Sequence, residues 1–327
     1  MVPRSCRFVV LFGTLAALAV LQGCAHKAPA DQPLGSYLED IYTTANTNPD
    51  VDVFCRAATS HLEQMEDLIV VNEKKNPLDL SFIYRTAGAY YGYAYCCLED
   101  TDQKEAMANY LKGRDLALSE LRRYSFFDQA FDDDISRYRK ALPYNFDKRN
   151  LPALYWTAMN WLGWISLNRD VPEFSDSVAR IEAMLEFINT IDRSYAGGTV
   201  HAALGAAYAL RAKADGGDPD KAKEQFEAAV LYSGDSLLMI HVMYARFYAV
   251  RMQDRELFRS TLQKVLDTPA NTYPDKTFVN EAAKRKARIY LEKMESFFAA
   301  PAEKKSAPGE EESAPGEKKS VSEGAAS

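Results

Sequence analysis

An all-α array of paired helices is the fold this sequence predicts for residues 34–298, and three observations predict it. Apolar residues recur at spacings of three and four, with almost no strand-like alternation between Leu34 and Phe298. Gly, Pro, Asn and Asp breaks cut that stretch into helix-length pieces. A short word built on a small residue, usually with an aromatic after it, also returns four times: Ala87-Gly88-x-x-Tyr91, Leu162-Gly163-Trp164, Leu204-Gly205-x-x-Tyr208 and Tyr244-Ala245-x-x-Tyr248.

Each word falls in the first helix of a pair, and the second helices answer with spaced small and aromatic positions. These are Ala106-x3-Tyr110-x2-Gly113, Ala179-x3-Ala183, Ala222-x3-Phe226-x2-Ala229 and Leu257-x3-Thr261. The pattern is similar to tetratricopeptide repeats (TPRs). Gly or Ala on one helix and Ala on the next let two backbones approach, and the aromatic fills the wedge above them. Four divergent repeats are predicted, at roughly 78–123, 152–190, 197–232 and 237–267. In the third, Asp218 is the expected N-cap and Pro219 the first-turn residue of the second helix. Leu34 to Asn72 is expected to add helices before the array, and Lys276 to Phe298 a helix that caps its last apolar face.

The ends of the chain are of another kind. Arg4 and Arg7 precede an apolar run from Phe8 to Leu21, the outline of a signal peptide over residues 1–23. The run is about 14 residues where a spanning helix needs roughly 20. Leu21-Gln22-Gly23-Cys24 resembles the lipobox of bacterial lipoproteins, which makes Cys24 the expected lipidation site and new N-terminus. Residues 24–33, polar and Pro-containing, read as a flexible tether. By resemblance to lipoproteins of double-membrane bacteria, Ala25 in place of Asp beside the lipidated Cys implies the periplasmic face of the outer membrane over the inner membrane. Residues 299–327, built from Ala, Pro, Gly, Ser, Glu and Lys with Ser-Ala-Pro-Gly-Glu at 306 and again at 313, read as a disordered tail.

The formal charge of −7 becomes −9 when Arg4 and Arg7 leave with the leader, so a basic face for nucleic acid is not expected. Cys55, Cys96 and Cys97 make a poor disulfide framework. Cys96 and Cys97 are neighbours and cannot bridge one another without severe strain, which leaves Cys55 with one or the other as the intrachain pairing open to geometry. The expectation taken is that these thiols remain small buried side chains.

No catalytic constellation emerges, and no enzyme is predicted. His26 sits in the tether, and His61, His201 and His241 each stand alone on a helix, with no His-Glu-x-x-His, phosphate-cradling Gly loop or Ser elbow. No metal site and no cofactor are expected. Asp132-Asp133-Asp134 beside Arg137, Arg139 and Lys140 reads as a solvated, self-paired surface. Large rings run all round two helices, Tyr90 to Tyr95 and Trp156 to Trp164, so these helices are buried on most sides or face a cavity. Counting from the small-residue words, the inner face of the first helices carries Arg85, Ala89, Asn160, Trp164, Ala202, Ala206, Val242 and Arg246. Arg85, Asn160, Trp164 and Arg246 are the predicted ligand-groove residues, since an Arg in an apolar groove can hold a carboxylate through two hydrogen bonds.

The same residues resemble one family, the TPR lipoproteins that accompany periplasmic TRAP transporters, the T component or TatT family. The resemblance runs from about Leu34 to Phe298. It is carried by Leu154 to Ile165, by Ile191 to Gly205 with Tyr195, Gly197, Gly198 and His201, and by Gly216-Gly217-Asp218 with Lys221, Ala222, Phe226 and Ala229. Val242 to Val250, Asp254-Arg255 with Phe258, and Asn280 with Ala283 and Ala287 continue it. It implies a protein that partners a TRAP-type periplasmic substrate-binding protein and self-assembles as a homotrimer, with an apolar pore or groove handling apolar or carboxylated organic ligands. The competing reading is a TPR scaffold of envelope assembly that binds peptides in its groove; an enzyme acting on cell-wall glycan ranks below both.

Overall fold

A computed structural model describes residues 50–75 and 80–298, and all regular structure among them is helical. The expected leader, the lipid on Cys24, the tether, the tail and the part of the extra N-terminal region before residue 50 lie outside the described residues.

A helix α1 (Val51–Lys75) runs antiparallel beside α2 (Ser81–Tyr93), which continues as a π-helical segment, Ala94–Leu98. The array then follows as helix pairs: α2 with α3 (Gln103–Leu121), α6 (Leu151–Leu167) with α7 (Phe174–Ile191), and α8 (Thr199–Leu210) with α9 (Pro219–Ser233). The last pair is α10 (Leu238–Met243), prolonged by a π segment Tyr244–Ala249, with α11 (Arg255–Asp267). The second helices α3, α9 and α11 open on Asp102, Asp218 and Asp254, whose carboxylates accept N–H bonds from Glu105, Lys221 and Leu257 at 3.0, 3.1 and 2.9 Å. Each satisfies an amide that the helix start leaves without a partner. A final helix α12 (Thr277–Glu292) buries Ala283, Ala287 and Tyr290 against α10 and α11, covering the end of the array.

The small residues of the words mark where neighbouring helices close in, but a ring, not a second small residue, meets the bare backbone. A Cβ on Gly163 would lie 2.5 Å from the Tyr110 ring, and one on Gly205 2.7 Å from the Phe226 ring. The aromatic of a second helix therefore sits directly on the bare backbone of a first helix, at the packing density expected of an interior. At Gly198 the constraint is conformational as well. Its φ is +86°, and a Cβ would meet the Ala229 carbonyl oxygen at 2.6 Å. Gly198→Ala is therefore expected to lower stability by about 1–3 kcal/mol, read from urea unfolding of variant and parent.

Two features depart from the sequence reading. Between the first two pairs the chain folds into α4 (Ser125–Phe131) and α5 (Ile135–Asn145). Phe127, Tyr138 and Phe146 hold this insertion together, with ring centroids 5.5 and 4.8 Å from Phe127. Arg180 of α7, only 5 % exposed, donates to the carbonyls of Phe131 and Asp133 at 2.5 Å each and to Asp176 at 2.7 Å. The acidic run is thus a structured corner: Asp134 caps α5, Asp133 pairs with Arg137, and Asp132 with Arg122. Arg139 does not join it and reaches Glu186 of α7 instead.

The second departure concerns the thiols. Cys55 of α1 and Cys97 of the π segment form a disulfide with Cα atoms 5.6 Å apart, and Cys96 alone stays free among the described cysteines. The expectation of three unpaired buried thiols is corrected. The antiparallel register of α1 on α2, invisible in linear spacing, is what puts residue 55 opposite residue 97.

Candidate functional site

The first helices face one another across a cavity of about 530 Å3. Walls come from α1 (Phe54, His61, Met65), α2 (Tyr84, Arg85, Tyr91) and its π segment (Tyr95), α6 (Tyr155, Trp156, Met159), α10 (Met239, Met243) and α12 (Phe278, Ala282), with Thr199 at the start of α8. The local sequence explains the contributions. α6 is apolar almost all round, so the rings it does not spend on α3 and α7 are left for the cavity. α1 and α12 stand outside the helix pairs and close the ring between them. Phe54 and Phe278 meet edge to face at 5.1 Å, and Asp52 is paired with Arg285.

The surface is mostly aromatic and sulfur-bearing, with few polar groups. The Tyr155 hydroxyl is bonded to Thr199 Oγ1 at 2.9 Å, and the Tyr95 hydroxyl donates to Met239 Sδ at 3.0 Å. Burial pushes the Tyr91 and Tyr95 hydroxyls far above the usual phenol range and the Cys96 thiol up to about 11, so these groups are uncharged at neutral pH. Burial likewise holds the His61 ring below its usual range. Arg85 is the exception. It is half-buried on the wall, and no described carboxylate pairs with it.

Of the four predicted groove residues, the structure brings Arg85 to this cavity, with Ala89 one turn on. The other three lie elsewhere. Asn160 is fully buried and donates Nδ2 hydrogen bonds to the carbonyls of Ala87 at 3.1 Å and Trp156 at 2.9 Å, stitching α6 to α2. Trp164 packs with the Tyr110 cluster and has the Arg114 guanidinium 5.9 Å from its ring. Arg246 lies 4.7 Å over the Phe297 ring. Ala202, Ala206 and Val242 are wholly buried. The physical reason is close packing: the later first helices touch along the face that an open superhelix would leave free. His201 is a packing residue, stacked 4.9 Å from Tyr232 and bonded to Gln225 and the Arg193 carbonyl. His241 pairs with Asp235 at 2.5 Å.

Sequence reasoning missed the walls made by α1, α10 and α12. The all-round aromatics of α2 and α6 signalled a cavity, but nothing local says that two helices at opposite ends of the array meet. In shape and chemistry the arrangement suits an apolar body with one anionic group at Arg85. Among the described residues no cluster of His, Cys, Asp and Glu fits a metal ion, and no helix is long and apolar enough to cross a membrane. In comparison with known proteins, the model of the TRAP transporter T-component family matches residues 47–298. No curated protein matches the chain.

Proposed function

Since the chain belongs to the TRAP transporter T-component family, we propose that it is a lipid-anchored component of the cell envelope that partners a TRAP-type substrate-binding protein. In this reading it receives or passes on an apolar organic acid through the cavity. The observation that carries the ligand part is Arg85, an Arg without a described carboxylate partner on an otherwise apolar wall. A ligand carboxylate supplies the missing counter-charge, and the rings and thioethers take the apolar remainder. The cavity volume of about 530 Å3 lies in the range of small-molecule sites. Cys24 provides the anchor, with its acyl chains in the periplasmic face of the outer membrane, and the protein assembles as a homotrimer.

Native mass spectrometry of the protein with its substrate-binding partner tests the whole reading. The expected result is a trimer that captures the partner and retains a small acid. A monomer that is empty and binds no partner overturns it.

The ligand part has its own test. Arg85→Met is expected to weaken binding of a medium-chain alkyl carboxylate by about 10–100-fold, from loss of a charged hydrogen-bonded pair worth about 1.5–3 kcal/mol. Binding of the alcohol of the same chain length is expected to stay unchanged. Equal weakening of both by calorimetry counts against a carboxylate at Arg85.

A further inference from the structure

The helix α1 is held at its two ends by different means. Its second half is packed: Met65, Leu68 and Ile69 form an apolar cluster with Phe82 and Ile83 of α2. Its first half makes one wall of the cavity through Phe54, Ala58, His61 and Leu62 and buries Val51, Ala58 and Leu62, yet these three join none of the apolar clusters, and among the described residues its ring, ion-pair and hydrogen-bond contacts with other elements are few. These are the Phe54–Phe278 ring contact, the partly exposed Asp52–Arg285 pair and an exposed bond of 3.3 Å from Thr59 Oγ1 to the Tyr93 hydroxyl. The one strong tie is the Cys55–Cys97 disulfide, close to the start of the helix. α1 also stands outside the helix pairs, so moving its first half breaks no seam between one pair and the next.

We propose that the Cys55–Cys97 disulfide is a redox-controlled strap that holds the first half of α1 over the cavity, and that its reduction lets this half lift about the packed second half and open the site. Both half-cystines are partly exposed, within reach of a soluble dithiol. One thiolate of the dithiol attacks a sulfur of the bond, and the other Cys leaves as a thiolate and takes a proton. The second thiol of the reagent then resolves the mixed disulfide. Both cysteines end as thiols, the reagent ends as a disulfide, and two electrons have passed to the protein. Cys96 beside Cys97 offers no competing bond to it, because adjacent cysteines bridge only under severe strain. Exchange with a disulfide reagent, which takes back the two electrons and ends as a dithiol, ties the π segment back to α1.

Cys96 is partly exposed as well, but on the cavity side under α1, and serves as the reporter. The test labels the full chain with a maleimide and reads modification at Cys96 by peptide mass mapping. The oxidised protein is compared with Cys55→Ser/Cys97→Ser, and hydrogen exchange is followed in the oxidised protein and in the same protein treated with dithiothreitol. The expected result is labelling of Cys96 about tenfold or more faster in the double variant. Exchange over residues 51–62 is expected to rise by a similar factor on reduction, with α6 and α8 still protected. Unchanged labelling and unchanged exchange overturn the proposal. So does a loss of protection that reaches α6 and α8 together with α1, because the bond is then a staple of the whole fold. Exchange of the reduced parent decides the matter even if the double variant does not fold.

Discussion

Lys286→Met is expected to remove about 3–5 kcal/mol of folding stability, the cost of stranding buried charge when one partner of an ion pair is taken away. Lys286 is 3 % exposed, on α12. Its Nζ lies 2.5 Å from Asp100 Oδ2 and 2.9 Å from Glu99 Oε2, and 4.6 Å over the Tyr95 ring. Glu99 also accepts a hydrogen bond of 2.6 Å from the Tyr110 hydroxyl, and Tyr110 is the ring that rests on Gly163. One connected set of groups thus runs from α12 through the end of α2 and α3 to α6, across the place where the first and last parts of the array meet. Burial alone favours the neutral amine, but Glu99 and Asp100 outweigh it and hold Lys286 well above its usual range. A lysine raised in the folded state gives stability that is complete below its unfolded value and fades only as pH climbs through the folded one. The Lys286 contribution is therefore expected to be flat from neutral pH up to the ordinary lysine value of 10.5. Thermal unfolding of parent and variant checks it, and a loss below about 1 kcal/mol refutes the lock.

A second large loss, again about 3–5 kcal/mol at neutral pH, is expected for Arg211→Met, and this one depends on pH. Arg211 follows the last residue of α8, is 7 % exposed, and donates Nη2 to Glu182 of α7, itself 4 % exposed. Burial raises the Glu182 carboxyl above its usual range, and the attraction of Arg211 only partly reverses this. A carboxyl raised in the folded state costs stability when ionised, and that cost fades as pH falls through the raised value. Removing Arg211 deepens the cost at neutral pH. The difference between variant and parent is therefore expected to shrink as pH approaches the ordinary value of 4.5 from above. Nearby Glu186 carries the opposite sign. Burial works against it, but hydrogen bonds from Arg139 and Tyr208 hold it below its usual range. Its contribution is present above the ordinary value and lost in acid, in parent and variant alike. Urea unfolding of both proteins across this range tests the prediction, and a pH-independent penalty contradicts it. Adding Glu182→Met to Arg211→Met is expected to recover most of the loss, since no buried charge then remains.

How much of this was legible in the sequence differs from residue to residue. Asp218 and Pro219 announce the start of α9 because capping is a local event, complete within three residues of chain. Gly163 and Gly205 announce close helix packing because only a missing side chain lets a ring sit on the backbone. Arg85 stands on the cavity wall together with Ala89, one turn on along the same helix. Asn160 was placed in the same groove by counting from the small-residue words, yet it serves the seam between α2 and α6. Periodicity gives the direction of a side chain on its own helix and not what another helix brings to meet it. Asp132 to Asp134 read as a charged surface and lie at the surface, with Asp133 paired to Arg137; the insertion α4–α5 around them is not legible, because its hold on the domain comes from Arg180, almost fifty residues downstream.

By itself, then, the sequence determined the helical class, the start of α9 and the words that carry the family resemblance, all encoded in residues a turn or a few turns apart. Tertiary structure decided the rest: the pairing of Cys55 with Cys97, the burial of Lys286 between Glu99 and Asp100, and the closing of α1 onto α12 that makes a cavity out of the inner faces. Each of these joins residues 42 or more positions apart, such as Phe54 and Phe278. Such contacts exist only once the array has curled, because the curl sums the small angles between successive packed helices, and no single stretch of sequence carries that sum.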